Sequence, residues 1–319
     1  MSEVDFGGRT VAVTGANGLI GRHVVAALTA GNARVVEISG PASEGSGVND
    51  GEGVQVDLRD PDAAAAALKD WDMVIHLAAR AGGIQFQKGS HLDVFADNAS
   101  INFNVISGAL SGRAEAILIA SSAVIYGPGG DLSEEDDLVT SRSERATGYA
   151  WSKVTAEMQG RWASEAGLRS VIARFTNVYG RGGSFRESSS TVIHALVKRA
   201  IDAGPGGRLV VWGDGSAVRS FIHVEDAAAA VALLLKTGET GEAYNVSSRE
   251  AVSIAQLAET VRTVVDPSLE ISYDVDRPSG PLRRTLDVSK LSALGFEASV
   301  GLEEGIRDVA EAYRRSTGA

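Results

Sequence analysis

A tyrosine and a lysine stand four residues apart, at Tyr149 and Lys153. If this segment is helical, the spacing places both side chains on one face of the helix. An ammonium group beside a phenol stabilises the phenolate, so we expect Lys153 to lower the pKa of Tyr149 and make it an acid or base near neutral pH. The same spacing also arises by chance, and a pair on an exposed helix surface is the alternative interpretation.

A serine pair precedes this segment. Ser122 lies 27 residues before Tyr149, at the end of a predicted strand over residues 116–120. In open parallel sheets, ligands bind at the carboxyl ends of the strands. The hydroxyl of Ser122 is therefore expected at that edge of the sheet, where ligands of such folds lie.

Glycines recur in the segment Thr14-Gly15-Ala16-Asn17-Gly18-Leu19-Ile20-Gly21, between a predicted strand at 9–13 and a predicted helix at 19–30. Glycine lets the backbone turn tightly and approach a pyrophosphate, and a helix N-terminus offers unpaired N–H groups to it. A glycine triplet alone is weak evidence and a structural turn is the alternative, but the position between strand and helix favours dinucleotide binding. The predicted contacts are Gly15, Asn17, Gly18, Leu19, Ile20 and Gly21.

Two further strand ends bear on the choice of cofactor. The second predicted strand ends at Ser39, where an acidic residue would hold the ribose 2′-hydroxyl of NAD. Ser39 neither repels a 2′-phosphate nor replaces a carboxylate, so this position leaves the choice between NAD, the predicted cofactor, and NADP open. Asp57 ends the third strand and is placed to bind the adenine amino group, with a helix cap before Pro61 as the alternative. Further predicted cofactor contacts are Leu58, Leu77, Ala78 and Ala79.

The elements that carry these residues alternate between short apolar runs and longer segments of helical period. This alternation is typical of a parallel sheet covered by helices, so we predict an α/β fold with a Rossmann doubly wound sheet. His76 and His223 fall inside apolar runs and are predicted to be core or strand residues. Strands are predicted at 9–13, 34–39, 53–57, 73–78, 116–120 and 170–175, and helices at 19–30, 63–68, 98–110 and 149–165.

Beyond residue 175 the pattern changes to short strands and helices with long loops, which predicts a smaller, interleaved α/β lobe for the substrate. We assign residues 1–176 and 224–246 to the dinucleotide-binding domain, and residues 177–223 and 247–319 to the nucleotide-sugar-binding lobe. The predicted features of the second half are helices at 192–203 and 224–235, strands at 209–212 and 220–223, a capping box of Ser253 and Gln256, and an apolar helix stripe of Leu302, Ile306, Val309 and Tyr313.

Composition excludes several classes of protein. The 319 residues carry 30 basic and 41 acidic side chains, a formal net charge of -11, and no cysteine. Without cysteine there is no disulfide framework, zinc–thiolate site, iron–sulfur cluster or cysteine nucleophile, and no metal site is predicted. The negative charge gives nucleic acid and anionic membranes no long-range attraction. Because no apolar run approaches the roughly 18 residues of a membrane span, we expect a soluble cytoplasmic protein.

Taken together, the glycine loop, the Ser121-Ser122 pair and the Tyr149 and Lys153 pair resemble the extended short-chain dehydrogenase/reductase family of nucleotide-sugar epimerases and dehydratases. The resemblance runs nearly end to end. It implies catalytic roles for Ser122, Tyr149 and Lys153, and a role for Asn98 in supporting the lysine and binding the cofactor. Within the family, the chain is most similar to GDP-fucose synthases and GDP-mannose 3,5-epimerases, through residues 78–84, 174–180, 211–215, 219–221 and 277–280.

The resemblance also implies which residues bind the substrate. Asn177, Arg219 and Arg277 match positions that hold the substrate diphosphate, and Arg283 is a further candidate. A guanidinium suits a phosphate because it donates two parallel hydrogen bonds, although for Arg283 a surface arginine is an equal alternative. The full predicted set is Gly83, Ser122, Ala123, Asn177, Arg186, Arg219, Arg277 and Arg283.

Departures from the family pattern narrow the chemistry. Family dehydratases carry an Asp-Glu pair after the triad hydroxyl and decarboxylases carry a glutamate, whereas this chain has Ala123 and Val124. The two GDP-sugar groups use a cysteine at the position of Val124 and a histidine or lysine at the position of Thr191. Neither side chain here exchanges a proton beside a carbonyl. His194, one helical turn later, is the alternative base, but it lacks an opposing acid.

The groups that remain are those of hydride transfer at C4 of a GDP- or other NDP-hexose. The first hypothesis is a nucleotide-sugar 4-epimerase, in which Tyr149 removes the C4 hydroxyl proton, NAD takes the hydride, and the hydride returns to the other face of the 4-keto sugar. The alternative is an NADPH-dependent reductase of a nucleotide 4-keto sugar, in which Tyr149 donates the proton. A third hypothesis, a non-catalytic dinucleotide sensor, conflicts with the presence of both Tyr149 and Lys153.

A homodimer is the expected assembly, because relatives usually pair through the helices that correspond to 98–110 and 149–163. Packing against the sheet explains most apolar residues of these helices equally well. The candidates for the interface are Val105, Leu110, Val154, Met158 and Trp162.

Overall fold

Seven strands, paired in parallel throughout, form the main sheet of the computed structural model. The structure describes residues 4–41, 53–81, 90–127, 129–136, 138, 147–187, 189–277 and 281–318. The strands within these residues are β1 (Thr10–Thr14), β2 (Arg34–Ser39), β3 (Gly53–Gln55), β4 (Met73–His76), β5 (Ala116–Ser122), β6 (Gly130–Leu132), β7 (Arg169–Phe175), β8 (Asn177–Tyr179), β9 (Arg208–Trp212), β10 (Val218–His223), β11 (Ala243–Val246), β12 (Ala251–Ser253), β13 (Glu270–Asp274) and β14 (Arg283–Leu286).

The order of strands in the main sheet is β11-β7-β5-β4-β1-β2-β3. The chain moves outward from β1 to β3, returns to β4 on the other side of β1, and then continues outward in the opposite direction. This is the doubly wound order, with its reversal between β1 and β4, and it confirms the fold class predicted from the sequence. Ligands of such sheets bind at the carboxyl ends of the strands beside the reversal.

Apolar residues occupy both faces of the central strands. In β1 the last four of five residues are buried, and in β5 the first six of seven are buried. Strands covered by helices on both faces lack the alternation of apolar and polar residues, which explains why these runs were visible in the sequence. Two strands are shorter than predicted, because β3 ends at Gln55 and β4 ends at His76.

Helices cover both faces of this sheet. The helices of the described residues are α1 (Leu19–Ala30), α2 (Pro61–Ala67), α3 (His91–Ser111), α4 (Gly148–Glu165), α5 (Val192–Ala203), α6 (Val224–Thr237), α7 (Ile254–Val265), α8 (Ser289–Ala293) and α9 (Leu302–Thr317), and a 3₁₀ turn spans Ala123–Ile125. Helix α1 lies beside α6 on one face, and α2, α3 and α4 lie on the other. Helix α3 begins seven residues earlier than predicted, because the exposed Leu92 and the buried, polar Asn98 obscure the apolar spacing of its first turns.

A second core forms around smaller sheets. Strands β12, β10, β14 and β6 are neighbours in that order, β8 also pairs with β10, and β13 pairs with β9. Helices α5, α7 and α9 pack on one another over these strands. The predicted capping box is confirmed, since Gln256 N–H donates to Ser253 Oγ at 3.1 Å and Ser253 N–H donates to Gln256 Oε1 at 2.8 Å. The predicted stripe on α9 faces this core through Ile306, Val309 and Tyr313.

None of the helices in the described part of the chain combines the length and the apolar character that crossing a bilayer requires.

A buried carboxylate joins the two cores. Asp226, in the first turn of α6, accepts hydrogen bonds from Ser299 N–H at 3.0 Å, Ser299 Oγ at 2.8 Å and Val300 N–H at 2.9 Å. Helix α6 covers the main sheet, whereas Ser299 and Val300 lead into α9 of the second core. Asp226 therefore fixes the segment before α9 to the helix layer of the main sheet.

We expect Asp226→Ala to lower the free energy of unfolding by about 2–4 kcal/mol, because two main-chain N–H groups and a hydroxyl lose a charged, buried acceptor. Urea titration followed by tryptophan fluorescence measures this change. The control is Glu225→Ala, whose side chain is 51% exposed and whose loss is expected to cost less than about 1 kcal/mol. Equal losses in the two variants would contradict the role given to Asp226.

Candidate active site

The loop between β1 and α1 brings backbone segments too close together for side chains. Gly15 has φ +72°, and a Cβ atom there would lie 2.8 Å from the main-chain nitrogen of Ala78. A Cβ atom on Gly21 would lie 2.2 Å from the carbonyl oxygen of Gly15. Gly18 caps α1 without a side-chain hydrogen bond, which leaves the first N–H groups of the helix available. This cradle fits the pyrophosphate of a dinucleotide.

The end of β4 lies directly against this loop. Leu77 N–H donates to the carbonyl oxygen of Thr14 at 3.1 Å, and Ala78 N–H donates to Thr14 Oγ1 at 3.3 Å. Leu77, Ala78 and Ala79 were predicted cofactor contacts, and the first two border the glycine loop. Of the other predicted contacts, Asn17 accepts a hydrogen bond from Arg22 at 2.8 Å through its carbonyl, and Leu19 and Ile20 pack on the main core.

The adenosine end of the loop contains an ion pair that the sequence did not predict. Both oxygens of Asp57 accept hydrogen bonds from the Arg59 guanidinium, the shortest being 2.7 Å, and this pairing lowers the pKa of Asp57 to about 2. The alternative role of Asp57 as a helix cap is wrong, because the cap of α2 is Asp60, which accepts from the N–H groups of residues 62 and 63. Leu58 is buried in the core, so only its backbone is available to a cofactor, and Ser39 is half-buried at the end of β2.

Asn98 lies elsewhere than the family resemblance implied. Its Oδ1 accepts a hydrogen bond from Arg80 N–H at 2.7 Å, and its Nδ2 donates to the carbonyl oxygen of Arg80 at 3.0 Å. Both polar atoms of the amide are therefore engaged by one peptide segment. Asn98 fixes the loop after β4, beside the dinucleotide cradle, rather than supporting Lys153 directly.

The three predicted catalytic residues meet at the junction of β5 and α4. Ser122 ends β5, and its Oγ accepts a hydrogen bond from Val124 N–H at 3.4 Å. Tyr149 and Lys153 lie on the first turns of α4, with Lys153 Nζ 5.6 Å from the centroid of the Tyr149 ring. Lys153 Nζ donates to the carbonyl oxygen of Ala120 at 2.8 Å, which ties the helix to the strand that carries Ser122.

Burial, rather than the neighbouring lysine, dominates the proton affinity of the tyrosine. Burial raises the pKa of Tyr149 to about 12, so the expectation that Lys153 lowers it is wrong for this structure. Burial also lowers the pKa of Lys153 to about 8, and the carboxylate of Glu157 opposes this effect. At pH 7 Tyr149 therefore holds its proton, and Lys153 is mostly charged.

A buried polar cluster behind the triad was missed in the sequence. Glu157 and Arg174 form an ion pair, Arg174 donates to the hydroxyl of Tyr126 at 3.0 Å, and that hydroxyl donates to Asn245 Oδ1 at 2.6 Å. One sequence signal could have revealed Glu157: Tyr149, Lys153 and Glu157 follow one another at intervals of four residues, which places them on the same side of a helix. The cluster connects α4, β7 and the segment after Ser122.

His76 links the glycine loop to the catalytic helix. Its Nε2 lies 3.0 Å from Asn102 Oδ1, its Nδ1 lies 2.8 Å from Thr14 Oγ1, and Asn102 Nδ2 donates to the carbonyl oxygen of Ser152 at 3.0 Å. Because Oδ1 only accepts, Nε2 carries the proton and Nδ1 accepts from the threonine. Burial lowers the pKa of His76 to about 3, so the ring is neutral and serves the strand core, as predicted.

Two other histidines hold loops in place. His194 Nε2 donates to the carbonyl oxygen of Gly180 at 2.9 Å, and its Nδ1 lies 2.7 Å from Thr191 Oγ1. Both ring nitrogens are thus engaged, which leaves no free nitrogen for the alternative role as a base. His223 is buried at the end of β10 and lies 3.3 Å from Asp308 of α9.

The predicted substrate residues follow the strands of the second core. Asn177 Nδ2 donates to the carbonyl oxygen of Ser220 at 2.9 Å, and Arg219 donates to the carbonyl oxygen of Val218 at 2.7 Å. Ala123 is buried in the turn after Ser122, and Arg186 is exposed in the loop before α5. Gly83 lies outside the described residues.

Arg277 belongs to a cationic cluster that was not predicted. The guanidinium carbons of Arg277 and Arg199 lie 5.0 Å and 4.5 Å from the centroid of the Trp212 ring. Arg277 Nε also lies 3.7 Å from the carboxylate of Asp274, so one of the two positive charges has an acidic neighbour. Arg283, in contrast, pairs with the exposed Asp131 at 2.7 Å, so the structure does not bring it into this cluster.

Comparisons with known proteins agree with this geometry. The sequence profile of the NAD dependent epimerase/dehydratase family matches residues 11–247. A dTDP-4-dehydro-6-deoxy-D-allose reductase of Streptomyces bikiniensis is 35% identical over 98% of each chain. GDP-L-fucose synthase 1 of Arabidopsis thaliana is 31% identical over 76% of this chain and 77% of its own.

A solved structure shares the fold over nearly the whole length. The UDP-glucose 4-epimerase of Thermus thermophilus, in complex with NAD, has a TM-score of 0.81 and 26% identity, covering 96% of this chain and 99% of its own. The family profile spans most of the chain, and the glycine cradle fits the dinucleotide that the profile implies. This protein is therefore an NAD-dependent enzyme of the NAD dependent epimerase/dehydratase family, the extended short-chain dehydrogenase/reductases.

Proposed function

We propose that this enzyme reduces a nucleotide-linked 4-keto hexose to the 4-hydroxy sugar. The observation that carries the proposal is the arrangement of the triad, in which the Tyr149 phenol and the Lys153 ammonium lie together on α4 beside the strand end that carries Ser122. The phenol keeps its proton at neutral pH. A phenol that starts protonated acts as an acid, which is the direction of ketone reduction. The name of the full-length Streptomyces relative, a 4-keto-sugar reductase, supports the same direction over the epimerase favoured by the sequence.

The side chains divide the proton chemistry among them. A bound nicotinamide dinucleotide supplies the hydride that C4 of the sugar receives. The Ser122 hydroxyl hydrogen-bonds to the C4 oxygen and orients the carbonyl. Tyr149 donates its phenolic proton to that oxygen as it becomes an alkoxide, and the Lys153 ammonium stabilises the phenolate that results. The C4 oxygen thereby takes its proton from Tyr149, and the hydride that a bound reduced dinucleotide would supply to C4 completes the reduction of the ketone.

The cationic cluster at Trp212 supports a nucleoside diphosphate as the activating group of the sugar. Arg199 and Arg277 place two guanidinium groups together, and Arg277 was the position implied by the family resemblance. Asn177 and Arg219 lie on adjacent, paired strands of the same lobe, at positions for which the same role is proposed.

A 4-epimerase is the second candidate, because the segment after Ser122 lacks any further acid or base. Ala123 and Val124 provide no group for elimination or for proton exchange at C3 and C5. Epimerisation needs only the triad and NAD, and the Thermus thermophilus structure of this fold is named a UDP-glucose 4-epimerase. In that reaction Tyr149 first removes the proton of the C4 hydroxyl and later returns a proton to the same oxygen.

Two assays decide between these reactions. In the first, dTDP-4-dehydro-6-deoxy-D-allose is incubated with NADH or NADPH carrying deuterium at C4 of the nicotinamide. A reductase oxidises one dinucleotide per sugar and places one deuterium on C4 of the product. In the second, UDP-glucose is incubated with catalytic NAD, and an epimerase yields the C4 epimer with no net change in absorbance at the wavelength of NADH. Failure of both assays across GDP-, UDP-, dTDP- and ADP-sugars would sink the proposal.

We also propose that the chain forms a homodimer through α3 and α4. Of the interface candidates, Val105 and Val154 are buried in the core, whereas Leu110, Met158 and Trp162 are 37%, 42% and 57% exposed. Phe103 adds a further apolar side chain on α3, 58% exposed. Exposed apolar groups on two adjacent helices are suited to burial against a second copy. Light scattering of the purified protein tests this, and a mass of one chain at micromolar concentration would refute it.

Removing the phenolic hydroxyl is expected to abolish most of the activity. We expect Tyr149→Phe to lower kcat by about 10²–10⁴-fold with little change in dinucleotide affinity, because the proton donor is lost while the ring remains. Steady-state kinetics and a dinucleotide binding titration measure the two effects. Tyr273→Phe is the matched control, since Tyr273 is 43% exposed on β13, and it is expected to retain full activity. Comparable losses in both variants would argue against Tyr149 as the donor.

The rate of reduction is expected to fall at alkaline pH. The reaction needs a charged Lys153, whose pKa is about 8, while Tyr149 keeps its proton up to a pKa of about 12. The value of kcat/KM is therefore level below pH 7 and declines about tenfold per pH unit well above pH 8. Lys236→Met, on a distant helix end, is expected to leave this profile unchanged. A profile that rises through pH 8 would instead indicate a base and favour the epimerase.

A further inference from the structure

Glu157 continues the row of catalytic side chains along α4. Tyr149, Lys153 and Glu157 are spaced four residues apart, so all three lie on one face of the helix. The Glu157 side chain is 0% exposed, although a carboxylate is among the groups that proteins bury least often. The reaction proposed above uses the first two residues and leaves the third without a task.

The carboxylate of Glu157 forms a two-pronged ion pair with Arg174 of β7. Oε1 accepts from Arg174 Nε at 2.9 Å, and Oε2 accepts from Arg174 Nη2 at 2.7 Å. Arg161, on the exposed side of α4, approaches Oε2 at 3.4 Å. Arg174 is only 2% exposed, so neither charge of the central pair is solvated by water. A buried pair of this kind contributes little net stability compared with apolar residues, which suggests a task other than holding the fold.

The ion pair holds the segment that carries Ser122 from both sides. Ser121, directly before Ser122, donates from its Oγ to Glu157 Oε1 at 2.6 Å. Tyr126, directly after the 3₁₀ turn that follows Ser122, accepts from Arg174 Nη1 at 3.0 Å. The position of the Ser122 hydroxyl relative to α4 therefore depends on this pair.

The same carboxylate is the negative charge that acts on Lys153. The groups around Lys153 come from three elements. Tyr149 and Glu157 lie on α4, the carbonyl of Ala120 lies on β5, and His76, which is neutral, lies on β4. Arg174 of β7 affects Lys153 indirectly, because it forms hydrogen bonds to the Glu157 carboxylate and partly compensates its negative charge. Burial lowers the pKa of Lys153 and Glu157 raises it, so the carboxylate works against loss of the charge.

We propose that Glu157 is a positioning residue of the reaction, which holds the Ser121-Ser122 strand end against α4 and keeps the neighbouring Lys153 ammonium charged. This inference rests on the proposed function, because it is the Tyr149 phenolate formed there that needs a charged lysine. Removing the Glu157 charge leaves Arg174 as an unpaired cation near Lys153. Removing the Arg174 charge leaves an unpaired carboxylate there instead. The two changes therefore act on the lysine in opposite directions.

The test compares Glu157→Gln with Arg174→Gln by NMR and by kinetics. The chain has six lysines, so the ¹³Cε resonance of Lys153 in protein labelled at lysine is assignable through Lys153→Met. We expect the titration midpoint of Lys153 to move down by about one pH unit or more in Glu157→Gln and up in Arg174→Gln. The alkaline limb of kcat/KM is expected to move with it, which lowers the activity of Glu157→Gln about tenfold at pH 9. Glu259→Gln, which breaks an exposed ion pair with Arg262, is expected to move neither quantity.

The outcomes separate a positioning role from a merely structural one. A structural pair would destabilise both variants while leaving the Lys153 midpoint and the alkaline limb in place, and that result overturns the proposal. If Glu157→Gln does not fold, the double variant Glu157→Gln/Arg174→Gln takes its place, because it removes both buried charges. We expect the titration midpoint of Lys153 in the double variant to lie below the midpoint in Arg174→Gln. Equal midpoints in these two variants overturn the proposal. Absence of turnover in every variant and in the native enzyme refutes the proposed function, whereas the NMR midpoints still decide the effect of Glu157 on Lys153.

Discussion

A charged amine removed from water is the constraint around which this active site is built. Transferring an ion into a protein interior costs several kcal/mol unless hydrogen bonds and an opposite charge compensate it, and Lys153 is 3% exposed. The Ala120 carbonyl supplies the hydrogen bond and Glu157 supplies the charge. Glu157 in turn needs Arg174, and Arg174 needs Tyr126. One buried ammonium thus accounts for a polar cluster that reaches from α4 across β5 to β7.

Buried hydrogen bonds connect α4 to the glycine loop on one side and to the second core on the other. Toward the dinucleotide, His76 joins Thr14 of the glycine loop to Asn102, which bonds to the backbone of α4. Toward the second core, Asn245 accepts from Tyr126 and donates to the carbonyl oxygens of Leu132 and Asp287, beside the paired strands β6 and β14. Helix α4, which carries Tyr149, is thereby held in place relative to both the glycine loop and the second core.

The sequence predicted what depends on local pattern and missed what depends on distant partners. The apolar runs of the central strands predicted the sheet, and the four-residue spacing of Tyr149 and Lys153 predicted that their side chains lie together on one helix. The direction of the Tyr149 pKa was wrong, because it depends on burial by elements far away in the chain. The hydrogen-bond partner of Asn98 likewise lies in the loop after β4. Arg199 and Arg277 come together because both stack on Trp212, which is 13 residues after Arg199 and 65 residues before Arg277 in the sequence.

Strand β11 gives the chain a particular problem during synthesis. It pairs with β7 at the edge of the main sheet, yet it comes from residues Ala243–Val246, after most of the chain has left the ribosome. Until then one edge of β7, a strand with six of its seven residues buried in the folded protein, has no partner strand. Strand β6 lies between β5 and β7 in the sequence but pairs with β14 in the second sheet. The second sheet is therefore also incomplete until the C-terminal part of the chain has been made. The order of synthesis therefore leaves the outer edge of β7 without its strand partner until residue 246 has been added, and an unpaired strand edge is a site for pairing with another chain.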